Sequence, residues 1–363
     1  MKILITGNQG YIGPVLAAHM RQVWPDAHLI GYDTGYFALS TTNAQVWPER
    51  VYDEQICGDV RDRPASLLYG VDGVVQLAAI SNDPMGASFA EVTDQVNRGS
   101  AVRTARLAAD AGVRHFVFAS SCSVYGFAPG AARREGDPLN PQTAYARSKI
   151  DTENALAEMD LKGMTTTSLR FATACGMSPR LRLDLVLNDF VASAIAARKI
   201  TVLSDGTPWR PLIDVRDMSR AIEWALTRDS ANGGPLLAVN IGSDQWNYQV
   251  KDLAQAVAAA VPGTDVSINT QAQPDTRSYK VDFSLFRSLA PNHQPRITLD
   301  HSIALLREGL EGMGFADAEF RNSPYMRLKM LEGHMKAGRL TSDLRWTWNF
   351  LERELEFPGD AMK

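Results

Sequence analysis

Short apolar groups alternate with longer stretches of helical spacing along most of the chain. Lys2–Thr6 is an apolar group of the kind buried on both faces of a parallel sheet. Residues 28–32, 55–57, 73–80 and 115–119 repeat that pattern and predict four further strands. Between them, helical spacing runs through Leu16 and Met20, and again from Asn97 through Ala101 to Ala111. Strands alternating with helix-length segments predict a doubly wound parallel sheet. Further on, residues 183–199, 217–228 and 249–261 carry helical patterns, and 201–205 reads as a short strand and turn. Within the first of these helices Phe190 and Ile195 read as core residues, while Asn188 faces either a ligand or solvent. No internal repeat and no low-complexity segment interrupts the chain.

Composition narrows the function classes. The chain has 363 residues, a hydrophobic fraction of 45% and a formal net charge of -4. That is enough chain for a large core and two lobes. Mild acidity offers no general attraction to nucleic acid or to an anionic membrane. No apolar run approaches the ~20 residues that span a bilayer. The apolar N-terminus is too short for a secretory signal and reads as the first strand. Cys57, Cys122 and Cys175 are widely spaced and form no Cys-x-x-Cys, which suggests a reduced, cytoplasmic protein. The histidines do not cluster at ligand spacing, so no metal site is expected.

Candidate chemistry starts at the first strand-to-helix turn. Gly7-Asn8-Gln9-Gly10-Tyr11-Ile12-Gly13 follows the first strand directly. Glycines there let a pyrophosphate approach the backbone, and the next helix presents its free N–H groups and positive dipole end. The second strand ends on Asp33, placed to accept hydrogen bonds from an adenosine ribose. A carboxylate at that point repels a 2′-phosphate, so NAD is favoured over NADP. Asp59, after the third strand, suits either an adenine edge or a helix cap. Leu77, Ala78 and Ala79 end the fourth strand, and the small pair allows a ligand close to the backbone. Ser81 lies in the loop that follows, at the carboxyl end of the sheet. The fifth strand runs into Ser120-Ser121-Cys122-Ser123-Val124-Tyr125-Gly126, which brings the Ser121 hydroxyl to the same crevice. No histidine adjacent in sequence activates Cys122, so it reads as an inert thiol. Tyr145 and Lys149 stand one helical turn apart on one face. Alone that is an ordinary surface pair. Beside a cofactor, a fixed ammonium favours the phenolate and makes the tyrosine a better base.

Taken together these motifs resemble the extended short-chain dehydrogenases/reductases of the nucleotide-sugar epimerase/dehydratase group. The resemblance is carried by Thr6-Gly7-x-x-Gly10-x-x-Gly13, Asp33, Asp59-Val60, the Ser120–Gly126 segment and Tyr145-x-x-x-Lys149, in the family's order. Residues 169–176 and 209–217 extend it to roughly residue 290. It implies a Rossmann-type doubly wound α/β sheet with a smaller mixed α/β C-terminal lobe for substrate. Residues 1–172 would hold NAD, with 212–243 returning to that domain; 173–211 and 244–363 would form the substrate lobe and a helical extension. The cofactor residues implied are Gly7, Gln9, Gly10, Tyr11, Ile12, Gly13, Asp33, Asp59, Val60, Leu77, Ala78, Ala79, Tyr145 and Lys149. Tyr145 would be the acid/base at a sugar hydroxyl, Lys149 would bind the nicotinamide ribose, and Ser121 would hydrogen-bond the reacting oxygen. Asn97 would support the site. Ser81, Ser123, Thr173, Asn188, Arg210 and Arg277 would meet the substrate, a nucleotide-diphosphate sugar, the two arginines by bidentate contact with its diphosphate. A homodimer is the family expectation.

Departures from the family's pattern narrow the reaction. Sugar 4,6-dehydratases of the group resemble Ser-Thr-Asp-Glu-Val-Tyr-Gly at the serine motif, and use the Asp and Glu for water loss. Cys122 and Ser123 stand there, which disfavours dehydration. Thr173 and Asp214 replace the family's frequent asparagine and histidine and alter the substrate pocket. The expected activity is NAD-dependent epimerisation of a nucleotide sugar, with reduction of a nucleotide-linked keto-deoxy sugar as the alternative. From Met313 the chain runs past the usual family end. Residues 320–329 are rich in aromatic and basic groups, and suit either a lid over an anionic substrate or a helical tail packed on the core. Residues 345–351 should bury their aromatics against the body or a partner chain.

Overall fold

A computed structural model describes residues 1–272 and 278–347. In chain order the elements begin β1 (Lys2–Thr6), α1 (Gly13–Val23), β2 (His28–Asp33), β3 (Glu54–Cys57), β4 (Gly73–Gln76), α2 (Asp83–Ser88) and α3 (Ala90–Thr93). A π turn at Asp94–Gly99 leads into α4 (Ser100–Asp110), then β5 (His115–Ser121), β6 (Ala128–Arg133), α5 (Ala144–Ala157), β7 (Thr165–Phe171) and β8 (Thr173–Cys175). The second half holds α6 (Val186–Ala197), β9 (Lys199–Val202), β10 (Trp209–Asp214), α7 (Val215–Thr227), β11 (Leu236–Ile241) and β12 (Asn247–Gln249). It ends with α8 (Val250–Ala260), β13 (Asp265–Ile268), β14 (Tyr279–Val281), α9 (Ser284–Leu289), α10 (Leu299–Gly312) and α11 (Arg327–Lys336).

Seven strands form one parallel sheet in the order β11-β7-β5-β4-β1-β2-β3. The order follows from the side-chain pattern. Ile3, Ile5, Leu29, Val75 and Val117 face one apolar layer; Leu4, Ile30, Val74, Phe116 and Phe118 face the other. Strands apolar on both faces need helices on both, which only crossover connections supply. Leu16 and Met20 of α1 and Ile222 and Leu226 of α7 close the first layer. Ala101, Ala105 and Ala108 of α4 close the second, together with Leu331 and Leu344 from the chain's last described stretch. Each fully buried Leu, Ile or Phe is worth roughly 1.5–3 kcal/mol. The chain reverses direction across the sheet between β1 and β4. Ligands of open α/β sheets bind outside the carboxyl ends of such a pair.

A third apolar cluster gathers α6, α8 and α10 around β9 and β10. The smaller sheets are β12-β10-β8, β13-β9 and β14-β6. The helical pattern of 183–199 becomes α6, most of whose residues are buried. The predicted fourth strand stops at Gln76, earlier than its apolar pattern, with the Leu77 amide making one more bond to the Thr6 carbonyl. The segment 320–329 packs on the core through Phe320 and the start of α11, as the tail reading expects, and also lends side chains to the cleft described next.

Candidate active site

A cleft of about 960 Å³ opens at the carboxyl ends of β1 and β4. Gly7, Gly10, Tyr11 and Ile12 form its floor beside β1, and Leu77, Ala78, Ala79 and Ser81 form the wall beside β4. Gly7 has φ +71°, and a Cβ there would stand 2.5 Å from the Ala78 nitrogen. Only glycine lets the two strand ends come this close. Pro14 stands in the first turn of α1, where no amide is needed. Gly13 and Gln9 do not line the cleft. Gly13 instead packs on Asn8, whose carbonyl oxygen would lie 1.9 Å from an added Cβ. The Gln9 amide donates to Asp33 Oδ2 at 3.0 Å.

Asp33 lines the cleft at the end of β2. Burial pushes its carboxyl up, while the Gly35 and Gln9 amides hold it down. Each oxygen accepts one amide, which leaves lone pairs for a ribose diol. Asp59 and Val60 also line the cleft. Asp59 caps no helix, since the next helical turn starts at Ala65. Its carboxylate is gripped by Arg61, at 2.5 Å. These features fit a dinucleotide: a glycine floor, a helix N-terminus, and an acidic group for a ribose.

Tyr145 and Lys149 project from the first turns of α5 onto the wall opposite. Thr143 caps this helix and donates to Asp83 Oδ1 at 2.7 Å, tying α5 to α2. Ser121 ends β5 and lines the cleft with Tyr145, whose phenol it draws down. Its oxygen accepts the Ser123 amide at 3.1 Å, so its proton is free to point at the phenol. Burial pushes the phenol up to about 12; Ser121 draws it down, Asp83 pushes it up, and Arg182 draws it down. Lys149 Nζ donates to the Ala119 carbonyl at 2.7 Å and stands 5.3 Å from the Tyr145 ring centre. Burial pulls this ammonium down to about 7, against the pull of Glu153 one turn further on. Arg182 is a second cation that acts on the phenol. Lys149 was expected in that role, and burial weakens its hold on a proton. Asn97, in the π turn, accepts the Ile80 amide at 2.7 Å and donates to Ser148 Oγ, which donates to the Tyr145 carbonyl.

Ser81, Ser123, Thr173 and Arg210 all line the cleft. The Ser123 hydroxyl is buried without a partner among the described residues. Asn188 corrects an expectation. It is fully buried, accepts the Gly176 amide at 3.0 Å, and donates to the Arg182 carbonyl at 3.0 Å. Both ends of its amide are thus committed to the protein. Arg277 lies outside the described residues. Phe190 is core, as expected, and its edge also reaches the cleft. Cys122 is an inert thiol buried against the Arg170 carbonyl, with burial pushing its ionisation up. Sequence reasoning did not single out Asp83, Arg182 and Asp184, which line the cleft together with Arg321 and Arg327 of the 320–329 stretch. Arg182 and Asp184 are two residues apart and paired at 2.6 Å. Such a charged couple just ahead of an apolar helix was a readable signal.

Comparison with known proteins agrees with this geometry. Residues 3–242 match the model of the NAD dependent epimerase/dehydratase family. The UDP-glucose 4-epimerase of Corynebacterium glutamicum is 29% identical over 274 residues, covering 70% of this chain and 79% of that one. The UDP-glucuronic acid decarboxylase 6 of Arabidopsis thaliana is 24% identical over 85% of this chain and 88% of its own. A solved NAD dependent NDP-hexosamine 5,6-dehydratase involved in tunicamycin biosynthesis shares the fold, with TM-score 0.73 and 23% identity, covering 88% of this chain and 99% of that one. The protein is an NAD-dependent enzyme and belongs to the epimerase/dehydratase family of extended short-chain dehydrogenases/reductases.

Proposed function

We propose that the protein epimerises a nucleotide-diphosphate sugar at a carbinol carbon. The observation that carries this reading is the Ser121–Tyr145–Lys149 set on one cleft wall, with no acid at 122 or 123. The relatives above catalyse epimerisation, decarboxylation and dehydration. Dehydration needs an acid and a base at carbon, and those two positions hold a buried thiol and a hydroxyl. Tyr145, as its phenolate, takes the proton of the reacting hydroxyl and returns it after the keto intermediate has turned over. Ser121 holds the reacting oxygen at the phenol. Lys149, near 7, is matched to hold the phenol's own proton at neutral pH while Tyr145 acts as base. NAD, when bound, supplies the acceptor and donor of hydride. Asp33 selects it by receiving the ribose diol. Arg210 and Arg277 serve the substrate diphosphate, and Ser81, Ser123 and Thr173 serve the sugar. We assign the cofactor to residues 1–172 and 212–243, and the sugar nucleotide mainly to 173–211 and 244–312.

The test is mass spectrometry of ligands released from purified protein, followed by a panel of nucleotide sugars. Bound NAD and product formed without net NADH consumption support the reading. Stoichiometric NADH consumption with a keto sugar refutes it in favour of a reductase. Tyr145→Phe removes one neutral hydrogen bond but the whole proton path, so kcat should fall about 10²–10⁴-fold, while NAD binding stays intact.

A further inference from the structure

The chain beyond residue 312 lies outside the span that matches the family model. Its helix α11 starts at Arg327, a cleft-lining residue that is only 2% exposed. The guanidinium rests on the Phe37 ring, 4.2 Å from its centre. Nη2 donates to the Arg180 carbonyl at 2.7 Å. Nη1 is buried and has no hydrogen-bond partner among the described residues. A buried guanidinium without a counter-charge of its own is costly. The two carboxylates that act on it are already engaged. Asp184 is paired with Arg182 and receives the Asn82 amide, and Asp33 receives two backbone amides. Burial and the neighbouring Arg182 pull Arg327 down to about 9. The position calls for an anion supplied from the cleft.

The neighbours of Arg327 say which anion. Asp33 ends β2 beside the glycine turn, and Phe37 follows it by four residues. Arg210 stands elsewhere, on β10, with Trp209 and Tyr279 around it. Arg327 and Arg210 thus occupy separate positions along the cleft. We propose that Arg327 binds the pyrophosphate of the dinucleotide, so that the C-terminal extension completes the cofactor site. The last described residues of the extension engage the same edge of the cleft. Trp346 Nε1 donates to the Thr34 carbonyl at 2.6 Å, and the Tyr36 hydroxyl donates to the Leu344 carbonyl. Arg61, which grips Asp59, also donates to the Asp343 carbonyl at 2.8 Å, and Arg345 pairs with Asp62. The extension thus packs on the substrate lobe through Phe315 and Phe320 and reaches the cofactor edge of the cleft from Arg327 onward.

The inference rests on NAD dependence and not on epimerisation, so its test reads binding alone. Arg327→Met removes the charge and keeps an apolar stem on Phe37. Dissociation constants of the stripped protein for NAD and for adenosine are measured by equilibrium dialysis, with thermal midpoints of the ligand-free forms. NAD affinity should fall about tenfold to a hundredfold, the range of a charge-assisted contact. Adenosine affinity should be unchanged, and the ligand-free variant should melt no lower than the wild type. Unchanged NAD affinity overturns the proposal, as does an equal loss for adenosine. Should the methionine variant not fold, Arg327→Lys decides. A point charge without the planar fork should weaken NAD several-fold and spare adenosine. Equal NAD binding by the lysine and wild-type proteins overturns it too.

Discussion

Gly7 and Gly70 offer a matched pair of substitutions. Both have φ +71°. An alanine at either one adopts a left-handed conformation, at about 1–2 kcal/mol. They differ in what the new methyl meets. At Gly70 nothing lies within 4 Å. At Gly7 the Ala78 nitrogen stands at 2.5 Å, its Cα at 2.6 Å and the Leu77 carbonyl carbon at 2.9 Å. Those are backbone atoms of the β4 exit, so no side chain can swing aside. Forcing the strand ends apart adds about 1–3 kcal/mol, the range for overpacking. Gly70→Ala should thus lose about 1–2 kcal/mol, and Gly7→Ala roughly 2–5 kcal/mol. Urea denaturation of the two variants and the wild type reads the difference directly. NAD binding by equilibrium dialysis reads its functional half: weakened in Gly7→Ala, where the cleft floor moves, and unchanged in Gly70→Ala. Equal losses of stability, or full NAD affinity in Gly7→Ala, would refute the claim that this glycine holds the site by close approach.

Other outcomes follow from the same geometry. Ser121→Ala removes a contact that draws the Tyr145 phenol down, so the phenolate absorbance, read as wild type minus Tyr145→Phe, should titrate at still higher pH; a fall or no change would remove the Ser121 contact from the account. Lys149 is pulled from 10.5 to about 7 by burial, so its folded form resists a proton that the unfolded chain accepts. Its burden on stability is absent above 10.5, grows as pH falls toward 7 and is complete below 7. The thermal midpoint of ligand-free Lys149→Met minus wild type should therefore rise as pH drops from 10 to 7 and then level off. A flat difference would refute the depressed ammonium. Alkylation of the native protein should label Cys57, which is exposed, and spare Cys122 and Cys175, which are buried; peptide mapping checks this, and rapid labelling of Cys122 would contradict its placement.

The parts of this protein legible in its sequence are those set by local spacing. A glycine turn after a strand, an acidic residue at the next strand's end, and Tyr145 and Lys149 one turn apart each fix their geometry within a few residues. Ser121 was legible because a strand end puts its next side chain at the sheet's rim. Where partners come from far away, the pattern is silent. Asn188 sits on a helix like any cleft-facing residue, yet its amide is spent on Gly176 and Arg182. Lys149 looked like the phenol's cation, but its burial, its seat over the Phe118 ring and its bond to the Ala119 carbonyl are features no i,i+4 rule contains. Arg327 belongs to a stretch whose basic and aromatic content suggested a lid, and only the fold shows it beside Asp33.

The π turn at Asp94–Gly99 carries a consequence for how this chain tolerates change. A π turn holds one residue more than the α-helix around it. Each residue advances a helix by about 100°. Removing one residue here would let the helix relax to ordinary winding, an apparent gain in regularity. It would also rotate everything on one side of the cut by that angle. Either Asn97 swings off Ile80 and Ser148, or Ala101, Ala105 and Ala108 swing off the sheet. The extra residue is a phase correction that lets one helix serve two faces at once, and single-residue deletions across 94–99 should be selected against even where every substitution is accepted.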